Sequence, residues 1–342
     1  MYRYGLGTEQ DSKQAFYWLT KAANQGVVNA KISLGRMYHQ GDYVEQDDEK
    51  AEYYYIQAGK EGDTWTKFQL GGMYYSGNGT TQDVEKAEYW YDQAAEQGDV
   101  WSKYRLGILY FQGNNAPQDI AKAEYWQMRA AEQGDAEVKY RLGMMYFLGD
   151  FVPQNYSKAI DWYIRASDEG SSKAQFELGW MYKQGEGVEK NYNKAIYYYK
   201  KAAEAGNAKA QLNLGVMYEY GQGVEKDISK AIDYYTQSAQ NGNLNGTCNL
   251  GCVYECKGPM QDYTKSFYYY KKAAEAGLDR AQCNIALLYE KGLGVEQNEE
   301  KAVEWLQKSA EQNYARGQLK LGWMYEVGKG TVQSNILVHQ SG

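Results

Sequence analysis

The sequence predicts an all-α solenoid of about nine helix-turn-helix repeats, and three observations carry that reading. Leu-Gly pairs end at Gly35, Gly71, Gly107, Gly143, Gly179, Gly215 and Gly251, 36 residues apart at every step; Ala286 then takes the glycine slot after 35, and Leu-Gly returns at Gly322. Only 3 of 342 residues are proline, which leaves long stretches free to be helical, and 37 glycines supply the ends where the chain turns. A fixed period of this size marks stacked supersecondary units, none of which buries its apolar face alone.

Each period is helical twice. The first helix reads A-x-x-x-L-G-x-M-Y, with apolar residues at three and four spacing, and stops at glycines such as Gly77, Gly113, Gly149, Gly185 and Gly221. The second reads K-A-x-x-W-Y-x-x-A-A-E-x-G. Its aromatic column runs Trp18, Tyr54, Trp90, Trp126, Trp162, Tyr198, Tyr234, Tyr269, Trp305 without a gap, which points to core between stacked copies rather than to a binding site. The same holds for Tyr38, Tyr74, Tyr110, Tyr146, Tyr182, Tyr218, Tyr254, Tyr289 and Tyr325. Before each second helix stands Asp or Asn: Asp11, Asp47, Asp83, Asp119, Asn155, Asn191, Asp227, Asp262, Asn298. No copy has the alternating oxygen ligands of a calcium loop. The favoured reading is an N-cap, accepting a hydrogen bond from a first-turn amide and worth about 1 kcal/mol.

The pattern L-G-x-x-Y-x-x-G-x-G-V followed by D-x-x-K-A-x-x-W-Y-x-x-A-A-E-x-G resembles the Sel-1-like repeat family, relatives of the tetratricopeptide repeats, over essentially the whole chain. The resemblance implies a right-handed superhelix of antiparallel helix pairs, first helices lining the concave side, and a role as adaptor or scaffold without shared catalytic residues. Copy seven, "YECKGPMQDYTKSF", departs by losing the G-x-G-V loop, and copy eight by losing the glycine. The expected organisation is one solenoid over residues 1–330, the first helix of its first copy truncated, and a frayed tail over 331–342. "MYRYGLG" aligns with the tail of a first helix, so the compartment stays open between bacterial cytoplasm and periplasm.

Composition narrows function. A net charge of −7 with no basic block argues against a nucleic-acid partner. No apolar run approaches 18 residues, so no membrane insertion is expected. Two histidines, His39 and His339, leave almost nothing for nucleophilic or His-based metal chemistry. No cofactor, metal or catalytic residue is assigned, and a monomer is expected. Cys248, Cys252 and Cys256 stand at helical spacing, with Cys283 at the register of Cys248. Free thiols, a Cys248–Cys283 disulfide and a thiolate metal site stay open, in that order.

If the shared positions are core, information lies where copies differ. Positions −6, −2, +1 and +4 about the glycine share one helix face, which the family geometry turns into the concave groove. Read in order, that face carries Trp65 and Tyr75; Trp101, Arg105, Ile108 and Phe111; Arg141, Met144 and Phe147; then Trp180. Farther on it carries Glu219, Glu255, Glu290, Trp323 and Glu326. Aromatic and arginine residues concentrate binding energy at interfaces. The expected function is a non-enzymatic scaffold holding a protein or peptide, its aromatic half as anchor and its glutamates for a basic segment. The alternative is an immunity or inhibitor protein that neutralises a bacterial toxin. Lateral packing of these side chains against neighbouring first helices is the competing structural reading.

Overall fold

The computed structural model describes residues 11–112, 119–149, 152–256 and 258–330, and its contacts gather into two compact units, Met1–Glu169 and Gly170–Gly342. Among the described residues all regular structure is helical. The first unit contains α1 (Ser12–Asn24), α2 (Val28–Gln40), α3 (Asp48–Glu61), α4 (Thr64–Ser76), α5 (Val84–Glu96), α6 (Val100–Gln112), α7 (Ile120–Gln133), α8 (Ala136–Leu148) and α9 (Tyr156–Asp168). Even-numbered helices are the first of a copy and odd-numbered ones the second. The expected truncation within residues 1–10, the stop at Gly113, His339 and the tail 331–342 lie outside the described residues.

The Leu-Gly step is where the two helices of a copy meet. Leu34, Leu70, Leu106 and Leu142 are fully buried, each contributing about 2 kcal/mol of apolar burial. The next residue is glycine because a tyrosine from the second helix lies against its Cα. A Cβ on Gly35 would stand 2.5 Å from the Tyr55 ring, one on Gly71 2.6 Å from Tyr91, and one on Gly143 2.5 Å from Tyr163. In the copy of Gly107 the tyrosine is replaced by Gln127, which is buried and donates through Nε2 to Met145 Sδ at 3.1 Å.

The turn between helices recurs from pair to pair. First helices α2, α4, α8, α10, α12 and α16 stop at a left-handed glycine, such as Gly77 at φ 70° or Gly149 at φ 75°, a backbone state that costs glycine nothing, whereas α14 ends at Cys256 in extended backbone. The Asp or Asn then caps the second helix: Asp47 accepts from Lys50 N–H at 2.9 Å and Asn155 from Lys158 N–H at 3.0 Å. The cap's own N–H donates back to the first-helix tyrosine carbonyl, Asp83 to Tyr74 at 2.9 Å and Asn155 to Tyr146 at 2.9 Å. The lysine three residues on swings over that tyrosine's ring, as Lys122 does over Tyr110 at 5.0 Å and Lys158 over Tyr146 at 5.1 Å. The recurrent Asp and Lys of the motif are therefore two halves of one clasp.

The second unit contains α10 (Ser172–Gln184), α11 (Tyr192–Glu204), α12 (Ala208–Tyr220), α13 (Ile228–Gln240), α14 (Leu244–Glu255), α15 (Tyr263–Glu275), α16 (Asp279–Lys291), α17 (Glu299–Glu311) and α18 (Ala315–Glu326). Gly179, Gly215 and Gly251 sit against Tyr199, Tyr235 and Tyr270, each with 2.5 Å to a hypothetical Cβ. Ala286 is the informative exception. Its second helix carries Leu306 at the tyrosine register, and both are buried in one core cluster. A smaller partner leaves room for a methyl group. Among the described residues, a Cβ on Gly322 would meet nothing within 4 Å.

One expectation shifts by a single residue. The gapless aromatic column is mostly half-buried, with Trp18 exposed and Trp90 alone fully buried. The deep core is the next column, Tyr55, Tyr91, Tyr163, Tyr199, Tyr235 and Tyr270. The half-buried column stacks instead on the first-helix tyrosines, as Tyr182 on Tyr198 and Tyr254 on Tyr269, both at 5.8 Å.

Candidate functional site: the first-helix face

The −6, −2, +1 and +4 residues divide three ways. Trp65 is 56% exposed and stacks on Phe68 of its own helix at 5.3 Å, and Arg105, Arg141 and Met144 are exposed as well. Trp101 is half-buried. The Arg141 guanidinium lies 5.2 Å from its ring centroid, and Glu137 accepts from Arg141 Nε at 3.0 Å. Neighbouring first helices thus carry a continuous line of Trp101, Arg141 and Glu137 on the surface of the first unit. Such a line combines a flat apolar ring with a planar cation, the pair of groups that stacks on aromatic side chains and pairs with carboxylates.

Ile108 and Phe111 do not belong to that surface. They are 7% and 3% exposed, so the expectation that they face a groove is corrected: at +1 and +4 of this copy the face has already turned into the wall between helices. Tyr75 and Phe147 are half-buried, and Tyr75 donates its hydroxyl to Gln112 Oε1 at 3.1 Å, a link between first helices of successive copies. Lateral packing therefore claims part of the face and leaves part open.

In the second unit the same positions are mostly engaged. Glu219 Oε2 accepts from the buried Tyr235 hydroxyl at 2.5 Å, and Glu255 Oε2 from Tyr270 at 2.7 Å. Burial, with that carboxylate contact, pushes the Tyr235 hydroxyl well above its ordinary range. In the copy of Gly179 the +4 residue is Lys183, and the buried Tyr199 hydroxyl has no hydrogen-bond partner among the described residues. Lys183 donates to Asn213 Oδ1 at 3.0 Å, Arg280 to Asn249 Oδ1 at 2.7 Å and Arg316 to Asn284 Oδ1 at 3.5 Å, so the −2 asparagines cross-link adjacent first helices. Burial holds Lys183 below the usual lysine range and Glu177 above that of a carboxylate. Trp180 is half-buried. Glu290 lies 3.8 Å from Lys329, while Trp323 and Glu326 are exposed.

Among the described residues no group of three or more His, Cys, Asp or Glu is arranged to hold a metal ion, and His39 Nδ1 is 2.7 Å from Asp48 Oδ1. All four cysteines are free. No described helix is long and apolar enough to cross a membrane.

One surface escaped the sequence reading. Tyr53, Tyr89 and Tyr125 stand exposed on successive second helices of the first unit, each edge-on to the aromatic residue that follows it. Their 36-residue recurrence is visible in the sequence, but a tyrosine beside a core aromatic column looks like more core.

A Sel1 repeat model matches residues 1–27, 28–63, 67–99, 102–135, 136–171, 172–207, 208–243, 246–278, 279–314 and 315–337. The chain belongs to the Sel1 repeat family. The ten matches are eight helix pairs with a part-copy at each end, which reconciles them with the nine periods counted from Leu-Gly. Among solved structures, the chain is 35% identical to c5321, a protective antigen present in uropathogenic Escherichia coli strains and displaying an SLR fold, over 96% of this chain and 71% of that one with TM-score 0.64. It is 28% identical to a Sel1 repeat protein from Oxalobacter formigenes over 93% and 92%, with TM-score 0.68. No curated protein matches. Sel1 repeat proteins generally mediate protein–protein interaction and are generally non-enzymatic.

Proposed function

We propose that this Sel1 repeat chain is a non-enzymatic scaffold that binds a protein or peptide along the first-helix face of residues 11–169. The observation that carries the reading is the exposed set Trp65, Arg105, Arg141 and Met144 beside half-buried Trp101, large side chains left over after the core and the lateral links are accounted for. Exposed aromatic, arginine and methionine groups in one stretch are what an interface uses and a solvated face avoids. Two arginines flanking a tryptophan favour a partner segment that pairs a carboxylate with an apolar or aromatic residue. On the second unit, Glu219 and Glu255 are occupied by buried tyrosines and Glu290 by Lys329, so attraction of a basic segment falls to the exposed Glu326.

The test is partner capture from the native source with single variants of one face at a time. Trp65→Ala and Arg105→Glu are expected to weaken the retained partner by roughly 30-fold or more, the scale of an interface hot spot, while Tyr89→Ala on the second helices leaves it bound. Retention by both first-helix variants with loss by Tyr89→Ala would move the site to the other face.

A further inference from the structure

Copy seven alone carries cysteine at both −3 and +1, in the core cluster of one tyrosine, Tyr270. At −3 three copies of the chain pack a ring on the core tyrosine, Phe68 on Tyr91, Tyr140 on Tyr163 and Phe176 on Tyr199, and the copy of Ala286 carries Cys283. In copy seven −3 is Cys248, and +1 is Cys252. The two cysteines stand one turn apart on α14. Tyr270 directs its hydroxyl at Cys252 Sγ at 3.2 Å and shares it with Glu255. Asn284 Nδ2 reaches both sulfurs, at 3.9 Å to Cys248 and 4.0 Å to Cys252. Arg280, held on Asn249, supplies positive potential to both. Cys248 is buried and Cys252 half-buried on the first-helix face.

Donors and a cation around a partly accessible sulfur favour its thiolate. Donation from Cys248, helped by Tyr270 and Arg280, draws the Cys252 thiol below its ordinary value against burial and Glu255, whereas Cys248, as donor in a buried place, is pushed up. Of the two sulfurs, Cys252 is the more accessible and the one that the Tyr270 hydroxyl meets.

We propose that Cys252 and Cys248 form a peroxide-sensitive thiol pair that closes reversibly to a disulfide on the first-helix face. The Cys252 thiolate attacks an oxygen of a hydroperoxide, the O–O bond breaks, and the leaving oxygen takes up the proton lost by the thiol, giving Cys252 sulfenic acid and water or an alcohol. Cys248 sulfur then attacks Cys252 sulfur; the S–S bond forms, the S–O bond breaks, and hydroxide departs with the Cys248 proton as water. Two thiols are oxidised by two electrons and one hydroperoxide is reduced. In an intact helix Cβ atoms four residues apart stand about 5–6 Å apart, beyond the ~3.8 Å a disulfide spans, so the last turn of α14 must loosen. That end is built to loosen: it lacks the left-handed glycine and finishes at Cys256 in extended backbone, φ −64° and ψ 139°. Closure takes Cys252 away from Tyr270 and reshapes the face around Glu255, whether or not that face binds the partner proposed above.

The test uses the full chain treated with hydrogen peroxide, digested with chymotrypsin after Leu250 and Tyr254 and mapped by mass spectrometry. The expected result is a Cys248–Cys252 link within one chain, a loss of two hydrogens from the intact mass, and recovery of both thiols with dithiothreitol. Cys248→Ser is expected to stop at a sulfenic acid that dimedone traps on Cys252, and Tyr270→Phe to slow thiol loss about threefold near neutral pH. Circular dichroism of each variant before oxidation verifies its fold, and iodoacetamide labelling of the unaltered chain tests the same point without substitution: Cys252 labels before Cys248 and Cys283. Oxidation no faster than that of glutathione, pairing of Cys252 with Cys256, or links only between chains would each overturn the proposal.

Discussion

Trp101 and Glu255 occupy first-helix faces built on the same 36-residue plan, yet they are used differently. In residues 11–169 the face carries groups left unspent by the frame, Trp65, Arg105, Arg141 and Met144, with Trp101 met from above by a guanidinium. In residues 170–330 Glu219 and Glu255 at +4 reach inward to tyrosine hydroxyls and the −2 asparagines hold neighbouring helices together. The same register serves as recognition surface in one region and as polar framework in the other. A repeat fixes where a side chain stands but not what it does there, because the neighbouring copy supplies half of its contacts.

Both faces stand on a common frame, and the largest expected effects test that frame. Gly143→Ala and Gly215→Ala each drive a methyl group into a buried tyrosine ring and should cost a similar amount, about 3 kcal/mol in urea unfolding, whereas Gly322→Ala, with open space around it, should be neutral or stabilising by up to about 1 kcal/mol. Equal losses at all three sites would mean that the glycines serve the backbone and not the packing. Next in size, Glu219→Ala strands the Tyr235 hydroxyl and should cost about 2 kcal/mol. Lys183→Gln supplies Tyr199 with an acceptor and should instead gain about 1 kcal/mol. The same sign for both would break the framework reading of the second unit.

On the first unit, Trp101→Ala should change unfolding free energy by only about 0.5 kcal/mol, since it removes a half-exposed ring and one exposed cation contact; a loss of about 3 kcal/mol would make it core. The smallest effect is in acid. The Lys230 backbone amide and side chain hold the Asp227 carboxyl below the usual carboxylate range, so its contribution is complete above the unfolded value near 3.9 and fades as pH falls through the lower folded value. Asn191, an equivalent cap in the same unit, cannot titrate. Asp227→Asn should flatten the acid limb of the stability curve and leave neutral stability nearly unchanged.

Most of the frame was legible because each position is sampled again in every copy: the caps and the Leu-Gly steps recur at fixed spacing and occupy the predicted places, while the lysine half of the clasp shows only in the structure. What was not legible turns on rotations of about 100° between successive helical residues. Trp90 and Tyr91 are both aromatic, and only packing shows that the second column is the deeper one. Ile108 and Phe111 lie at the flank of the face, where exposure depends on the girth of the adjacent helix and not on their own type. The thiol cluster depends on three helices converging, which no spacing within one copy encodes.

The exchange of Gly for Ala at 286, matched by Leu306 where other copies carry tyrosine, has a bearing on how such a chain grows. A crossover between copies that separated a first helix from its second would set an alanine against a tyrosine ring, and the recombinant would not pack. Duplication that keeps both helices together avoids that clash, and where the first helix carries glycine the constraint relaxes: the near-identical "KYRLGILYF" at Lys103–Phe111 and "KYRLGMMYF" at Lys139–Phe147 meet Gln127 in one copy and Tyr163 in the other.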